Sequence, residues 1–259
     1  MKIIMKHHIC ILFVLYFISA GSVGAQSAEK NTDAASIVKE ALDYWRGQSS
    51  YTEAQMNVHR PDFERTMELV AWTKDTDHTL VRFVAPKKDA GSATLTVHDS
   101  MWSFSPKTNR IIKIPPSMMS QSWMGSDFSH RDLSKSDSIV RDYDHTLLKT
   151  ENRSGMKVYI IQSIPKPDAA VVWGREVLEI REDKIILKHE FYDQDSVLIK
   201  VFSAEKIELM GDRLYATQVK MTRLDQPDEW TSMHYKKADF GLKIPESVFT
   251  QANLKNTSR

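Results

Sequence analysis

Between Tyr51 and Lys237 the apolar residues fall at every second position. Ala54, Met56 and Val58 alternate with Glu53, Gln55 and Asn57, Val81, Phe83 and Ala85 with Leu80, Arg82 and Val84, and Ala93, Leu95 and Val97 with Thr94, Thr96 and His98. Trp102 and Phe104 alternate with Ser103 and Ser105, and an extended run resumes from Arg110 to Ile114. Longer runs of the same kind occupy Met156 to Ser163, Arg175 to Arg181, Ile185 to Tyr192, Val197 to Leu209, Leu214 to Leu224 and Trp230 to Lys237. A period of two predicts half-buried strands, about ten or eleven of them. The connections, such as Glu182-Asp183 and Gly211-Asp212, are too short for crossover helices. The strands are therefore expected to form antiparallel hairpins in a mainly β fold. Because twist accumulates over so many strands, the sheet is expected to curl, leaving a concave apolar face in need of a cover.

Three helical segments are candidates for that cover. After Asp33, a predicted N-cap, Ile37, Val38, Ala41, Leu42 and Trp45 form one stripe that Gly47 ends. Pro115 and Pro116 stop the strand before a short segment carrying Met118, Met119, Trp123 and Met124, too short to be a stable helix alone. Pro245, as a first helical residue, predicts a C-terminal helix carrying Val248, Phe249 and Leu254. Gly125 follows Met124 where the lid chain must turn, which predicts a positive φ there.

The first residues read differently. Lys2 and Lys6 precede the apolar run Ile9 to Ala20, and Val23-Gly24-Ala25 offers small residues to a signal peptidase. Residues 1–25 are expected to be a cleaved secretory signal, and residues 26–259 a single exported domain. The run is too short to span a bilayer. Cys10, the only cysteine, lies within it, so the remainder must be held together by its core rather than by disulfides. With Lys2 and Lys6 removed, 33 basic residues face 34 acidic ones without any block of like charge. Nothing in this pattern points to nucleic acid or to electrostatic membrane binding, and a monomer is expected.

Chemistry is sparse. His59, His78, His98, His130, His145, His189 and His234 show no metal-ligand spacing. The Asp142/Asp144 and Asp193/Asp195 pairs lack the further ligands of a calcium loop. Gly125-Ser126-Asp127 with His130 superficially suggests a nucleophile and its partners, but capping of the next helical turn explains the same residues. No catalytic residue, metal or cofactor is expected. What stands out is apolar: six tryptophans and the Met118, Met119, Met124 group. Methionine repacks around ligands of variable shape, so Trp102, Phe104, Met118, Met119, Trp123 and Met124 are expected to line a hydrophobic cavity between sheet and lid.

Trp102-Ser-Phe-Ser-Pro106, Arg110-Ile-Ile-Lys-Ile114-Pro115 and above all Trp123-Met-Gly-Ser-Asp-Phe128 followed by Asp132-Leu133 resemble the signature of bacterial outer-membrane lipoprotein-sorting proteins, the larger relatives of the LolA/LolB-like periplasmic carriers. The resemblance implies a half-open antiparallel barrel with a helical lid, Gly125, Ser126, Asp127 and Phe128 forming the lid motif. It also implies a cavity that shields acyl chains of a lipoprotein or lipid cargo during transit to the outer membrane, no catalytic residues, and for some relatives an inner-membrane exporter of the resistance-nodulation-division type as partner. Two other readings stay open: a non-enzymatic adaptor of an envelope exporter complex with a filled core, and a secreted hydrolase using Asp127 and His130.

Overall fold

A computed structural model describes residues 33–134 and 138–256. The segment expected to be a signal peptide lies outside them. Helix α1 (Ala34–Arg46) begins as expected: the Asp33 carboxylate accepts from the Ala35 N–H at 3.2 Å, a cap worth about 1 kcal/mol. Its end is closed by the Gly47 N–H, which donates to the Asp43 carbonyl at 2.8 Å.

Thirteen strands follow in one antiparallel sheet, against the ten or eleven expected from the alternation. The first group is β1 (Ser49–Arg60), β2 (Phe63–Lys74), β3 (His78–Ala85), β4 (Ala93–Val97), β5 (Ser100–Ser105) and β6 (Arg110–Ile114). The second is β7 (Tyr143–Arg153), β8 (Met156–Pro165), β9 (Arg175–Arg181), β10 (Ile186–Tyr192), β11 (Leu198–Met210), β12 (Arg213–Arg223) and β13 (Trp230–Phe240). The unpredicted strands are β2 and β7. In β2, Leu69-Val70-Ala71-Trp72 is apolar on both faces and hides the period of two. As an edge strand with one neighbour, β7 has little apolar alternation to show.

Spatial order is β6-β5-β4-β3-β2-β1-β13-β12-β11-β10-β9-β8-β7. Each group is a meander running outward from the central β1/β13 pair, where Met56 lies opposite Met233. The chain must therefore pass from one outer edge, β6, to the other, β7, and residues 115–142 make that crossing. The lid follows from this topology. It contains a 3₁₀ turn (Pro116–Met118), helix α2 (His130–Ser134) and helix α3 (Ser138–Asp142).

The sheet curls. Val81 on β3 and Phe191 on β10 line the same cavity although six inter-strand steps separate their strands, which in a flat sheet would be roughly 29 Å. α1 packs by Val38 and Ala41 on Ile161, Leu178 and Ile180 of the second group. On the other face of the first group, Leu80, Leu95 and Phe104 are covered by Phe249 and Leu254. The C-terminal element that Pro245 introduces is a 3₁₀ turn (Glu246–Phe249) followed by α4 (Gln251–Leu254), with Pro245 as cap rather than first helical residue. No helix among the described residues is long and apolar enough to cross a membrane.

Candidate functional site: an apolar cavity beneath a pinned loop

A cavity of about 320 Å³ lies between the sheet, α1 and the lid. Its volume is at the lower end for a small-molecule site. Leu42 and Trp45 of α1 form one wall, Leu69, Ala71 and Val81 a second, Phe202, Met221, Met233 and Tyr235 a third, and Trp123, Phe128 and Leu133 of the lid close it. Trp45 stacks on Tyr215 at 4.6 Å and meets Tyr235 edge-on at 5.5 Å. Such aromatic pairs add about 0.5–1.5 kcal/mol beyond their area and hold the wall rigid. Burial pushes the Tyr215 and Tyr235 phenols up, so both stay neutral. The lining also carries two charged side chains, Arg46, which donates to Thr79 Oγ1 at 3.3 Å, and Asp132, which is paired with Lys200 at 2.7 Å.

The lid residues are held by specific bonds. Trp123 is almost fully buried, its indole N–H donates to Thr94 Oγ1 at 3.0 Å, and its ring lies 5.2 Å from that of Phe83. From Trp123 to Phe128 the chain folds back on itself: the Trp123 N–H donates to the Phe128 carbonyl at 2.8 Å and the Ser126 N–H to the Trp123 carbonyl at 3.0 Å. This tight return requires left-handed backbone at Met124 (φ +54°) and Gly125 (φ +75°). The positive φ read from the sequence at Gly125 is present.

Two arginines of the β1/β2 hairpin grip the turn. Arg60 donates from Nη1 and Nη2 to the two Asp127 oxygens, each at 3.1 Å, and from Nη2 to the Gly125 carbonyl at 2.9 Å. Arg65 donates to the Met124 carbonyl at 3.2 Å and pairs with Asp89 at 2.6 Å. Thr231 Oγ1 donates to Asp127 Oδ2 at 2.6 Å. Ser129 caps α2 reciprocally with Asp132, whose Oδ2 also receives Lys200 Nζ of β11 at 2.7 Å. The lid is thus tied to both halves of the sheet, by Arg60 and Arg65 on one side and Lys200 on the other.

Of the six residues expected to line a cavity, Trp123 does so. Trp102 and Phe104 lie on the opposite face of β5, paired across the strand with Leu95 and Ala93 beneath Phe249 and Leu254. On β5 the residue that faces the lid is Met101, which packs with Ile114 and Met119. Met118 is exposed, and Met124 packs beside Trp123 over Met56, Val58 and Met67. From the lid motif, Phe128 lines the cavity, Gly125 and Ser126 make the turn, and Asp127 anchors it. Sequence reasoning passed over Phe202, Met233 and Tyr235, although the alternation along β11 and β13 marks them. Nothing in the sequence marks Arg60 or Arg65.

Ser126 and Asp127 are committed to this scaffold: Ser126 Oγ donates to the Trp123 carbonyl at 2.6 Å, and Asp127 is held by Arg60 and Thr231. Among the described residues no hydrogen bond joins His130 to either. Asp193 Oδ1 accepts the Asp195 and Val197 N–H groups in a turn, and Asp142 pairs with Arg141. No group of three or more metal-ligating side chains comes together among the described residues.

A family model whose description reads only "Uncharacterized protein", with the suffix "-like", matches residues 75–256, more than two thirds of the chain. No curated protein matches the sequence. Among solved structures, the chain is similar to a DUF1329 family protein from Desulfovibrio piger, with TM-score 0.76, 24% identity, and coverage of 86% of this chain and 99% of that one. A putative outer membrane lipoprotein-sorting protein domain from Vibrio parahaemolyticus gives TM-score 0.74 and 24% identity over 86% and 98% of the two chains. A LolA superfamily protein from Nitrosomonas europaea gives TM-score 0.71 and 20% identity over 85% and 99%. These likenesses establish a LolA-like fold.

Proposed function

The chain belongs to the family whose model spans residues 75–256, and from that premise and its LolA-like fold we propose that it is a carrier of lipid-modified or lipidic cargo, enclosing acyl chains between sheet and lid. The observation that supports this most is the apolar cavity of about 320 Å³ whose cover is a loop held by a few polar contacts. A carrier must bind and release. Burying a methylene is worth roughly 0.8 kcal/mol, so a chain of ten gives about 8 kcal/mol before binding costs are subtracted. Trp123, Met124 and Phe128 pack the lid into the sheet core. The Arg60 and Arg65 bonds to the Gly125 and Met124 carbonyls are separable contacts at its turn, the place where the cover can loosen so that the gain is surrendered when cargo leaves.

The carrier acts without catalysis or a cofactor, as a monomer in the periplasm, after export and cleavage between Ala25 and Gln26. Periplasmic fractionation followed by N-terminal sequencing tests this: Gln26 should come first, and intact Met1 in the cytoplasm would refute the location. Cargo comes from the inner membrane, with an exporter of the resistance-nodulation-division type as donor, testable by in vivo crosslinking from lid positions. The adaptor reading requires a filled core, and the cavity speaks against it. The deciding experiment is titration of the purified protein with a fluorescent acyl probe, together with mass spectrometry of whatever it carries from the cell. Saturable binding displaced by a fatty acid supports the carrier; no binding by a folded protein removes it.

A further inference from the structure

Phe128 lines two spaces at once. Beside the apolar cavity lies a second, polar groove of about 220 Å³, also bordered by Phe128. Its walls include Ser120 and Ser129 of the lid crossing, Ser122, whose hydroxyl donates to the Ser126 carbonyl, and the cationic side chains of Arg131, Lys200 and Arg223. The carboxylate on its lining, Asp127, is already engaged at both oxygens by Arg60 and at Oδ2 also by Thr231. Asp132 answers Lys200, and Arg223 pairs with Asp225 on the outer rim, where both side chains are more than one third exposed. Arg223 donates from both Nε and Nη2 to the two Asp225 oxygens, so an incoming anion competes with Asp225 for this guanidinium.

Lys200 stands at the boundary between the two spaces. Its side chain is 7% exposed, and its ammonium lies 4.8 Å from the ring centroid of Phe191, which lines the apolar cavity, and 5.3 Å from that of Trp173, which lines the polar groove. Hydroxyl donors and cations gathered on one side of a shared phenylalanine, with an alkyl-sized apolar space on the other, match an amphiphile. An oxyanion with several acceptor oxygens suits the polar side, since arginine and lysine bind phosphate through charge-assisted hydrogen bonds.

We propose that the polar groove receives the phosphate-bearing headgroup of a lipid whose acyl chain occupies the apolar cavity. This rests on the carrier reading and narrows it to a phospholipid, since the acylated end of a lipoprotein brings no phosphate to that place. The purified, delipidated full chain is titrated with phosphatidylglycerol, with the diacylglycerol of the same acyl chains, and with inorganic phosphate. Phosphatidylglycerol should bind about tenfold or more tighter than the diacylglycerol. The double variant Ser120→Ala/Arg223→Gln should lose most of that advantage while its diacylglycerol affinity stays within about twofold of the parent. Arg223 is on the rim, and a circular dichroism spectrum checks that the variant folds. Equal affinity for the two lipids overturns the headgroup site and leaves the carrier reading standing. If neither lipid binds, both fall. Inorganic phosphate that binds as tightly as phosphatidylglycerol makes the groove a free-anion site and overturns the lipid assignment, whereas failure of millimolar phosphate to displace the lipid supports it.

Discussion

Arg60 holds Asp127 in a two-pronged ion pair, Nη1 to Oδ2 and Nη2 to Oδ1 at 3.1 Å each, across 67 residues of sequence. The Asp127 side chain is 1% exposed and that of Arg60 13%, so water does little to compensate the carboxylate and Arg60 with Thr231 must do it. Removing one partner strands the other: Arg60→Met should lower the unfolding free energy by about 3–5 kcal/mol. Asp127→Asn leaves Arg60 with its Glu229 contact at 3.2 Å and should cost less. If the pair acts as a unit, the double variant should lose clearly less than the sum of the singles. Urea denaturation of all four proteins checks this, and strict additivity would show that the two side chains are not coupled.

The turn above that pair carries its own strain. A Cβ placed on Gly125 meets no heavy atom within 4 Å, so the barrier to substitution is the backbone alone, at φ +75°. Gly125→Val should therefore cost about 1–3 kcal/mol, and Gly125→Ala about 1–2 kcal/mol. Because the space is open, neither variant should disturb the packing of Trp123, and its near-ultraviolet circular dichroism should remain. Equal stability of parent and Gly125→Val would mean that the turn relaxes to another conformation at no cost.

Much of this fold could be read from alternation alone, and where reading stopped the reasons are physical. The mainly β meander follows from period-two runs and short connections, and α1 from its stripe and its Asp33 cap. β2 escaped because its Ala71 faces the cavity while Trp72 packs toward the C-terminal element, so both faces are apolar. The same ambiguity governs Trp102 and Phe104. Period two says that they share a face but not which face, and only the C-terminal segment, distant in sequence, claims it. Met119 and Trp123 did reach the concave side. Arg60 and Arg65 were illegible because an arginine at a hairpin looks solvated until the chain that crosses from β6 to β7 is laid over it.

That division of faces separates binding from stability. Ala71 lines the cavity from β2, and Ala71→Trp should fill it. Acyl-probe affinity should fall by about tenfold or more, with unfolding free energy changed by less than about 2 kcal/mol. Trp102→Ala acts on the other face, beneath the C-terminal turn, and should cost about 3 kcal/mol while probe affinity per folded molecule holds. The reverse pattern, with Trp102→Ala abolishing binding in folded protein and Ala71→Trp leaving it intact, would move the ligand to the opposite face of the sheet.

Acid should loosen the protein before its carboxylates titrate. Burial pushes the imidazoles of His130 and His145 below their usual 6.5. His130 Nδ1 and His145 Nε2 are buried without a hydrogen-bond partner, so neither ring has an acceptor waiting at that nitrogen for an added proton. The sign follows from linkage. As pH falls through about 6.5 the unfolded chain takes up these protons first, so stability declines from there until the lower folded-state values are passed. Carboxylates such as Asp77 titrate lower: burial alone would raise its pKa, but hydrogen bonds from His98 and His78 bring it below 3.8. Their contribution is lost only under more acidic conditions. The urea midpoint should therefore drop between pH 7.5 and 5.5, and His130→Gln should make that drop shallower while shifting the midpoint little at pH 7.5. Because His130 opens α2 and its N–H donates to the Gln121 carbonyl at 3.1 Å, amide exchange in residues 119–131 should quicken over the same interval in the parent and less in the variant. A midpoint flat across this range, or a drop that His130→Gln leaves unchanged, would show that this imidazole is not kept neutral by burial under the lid.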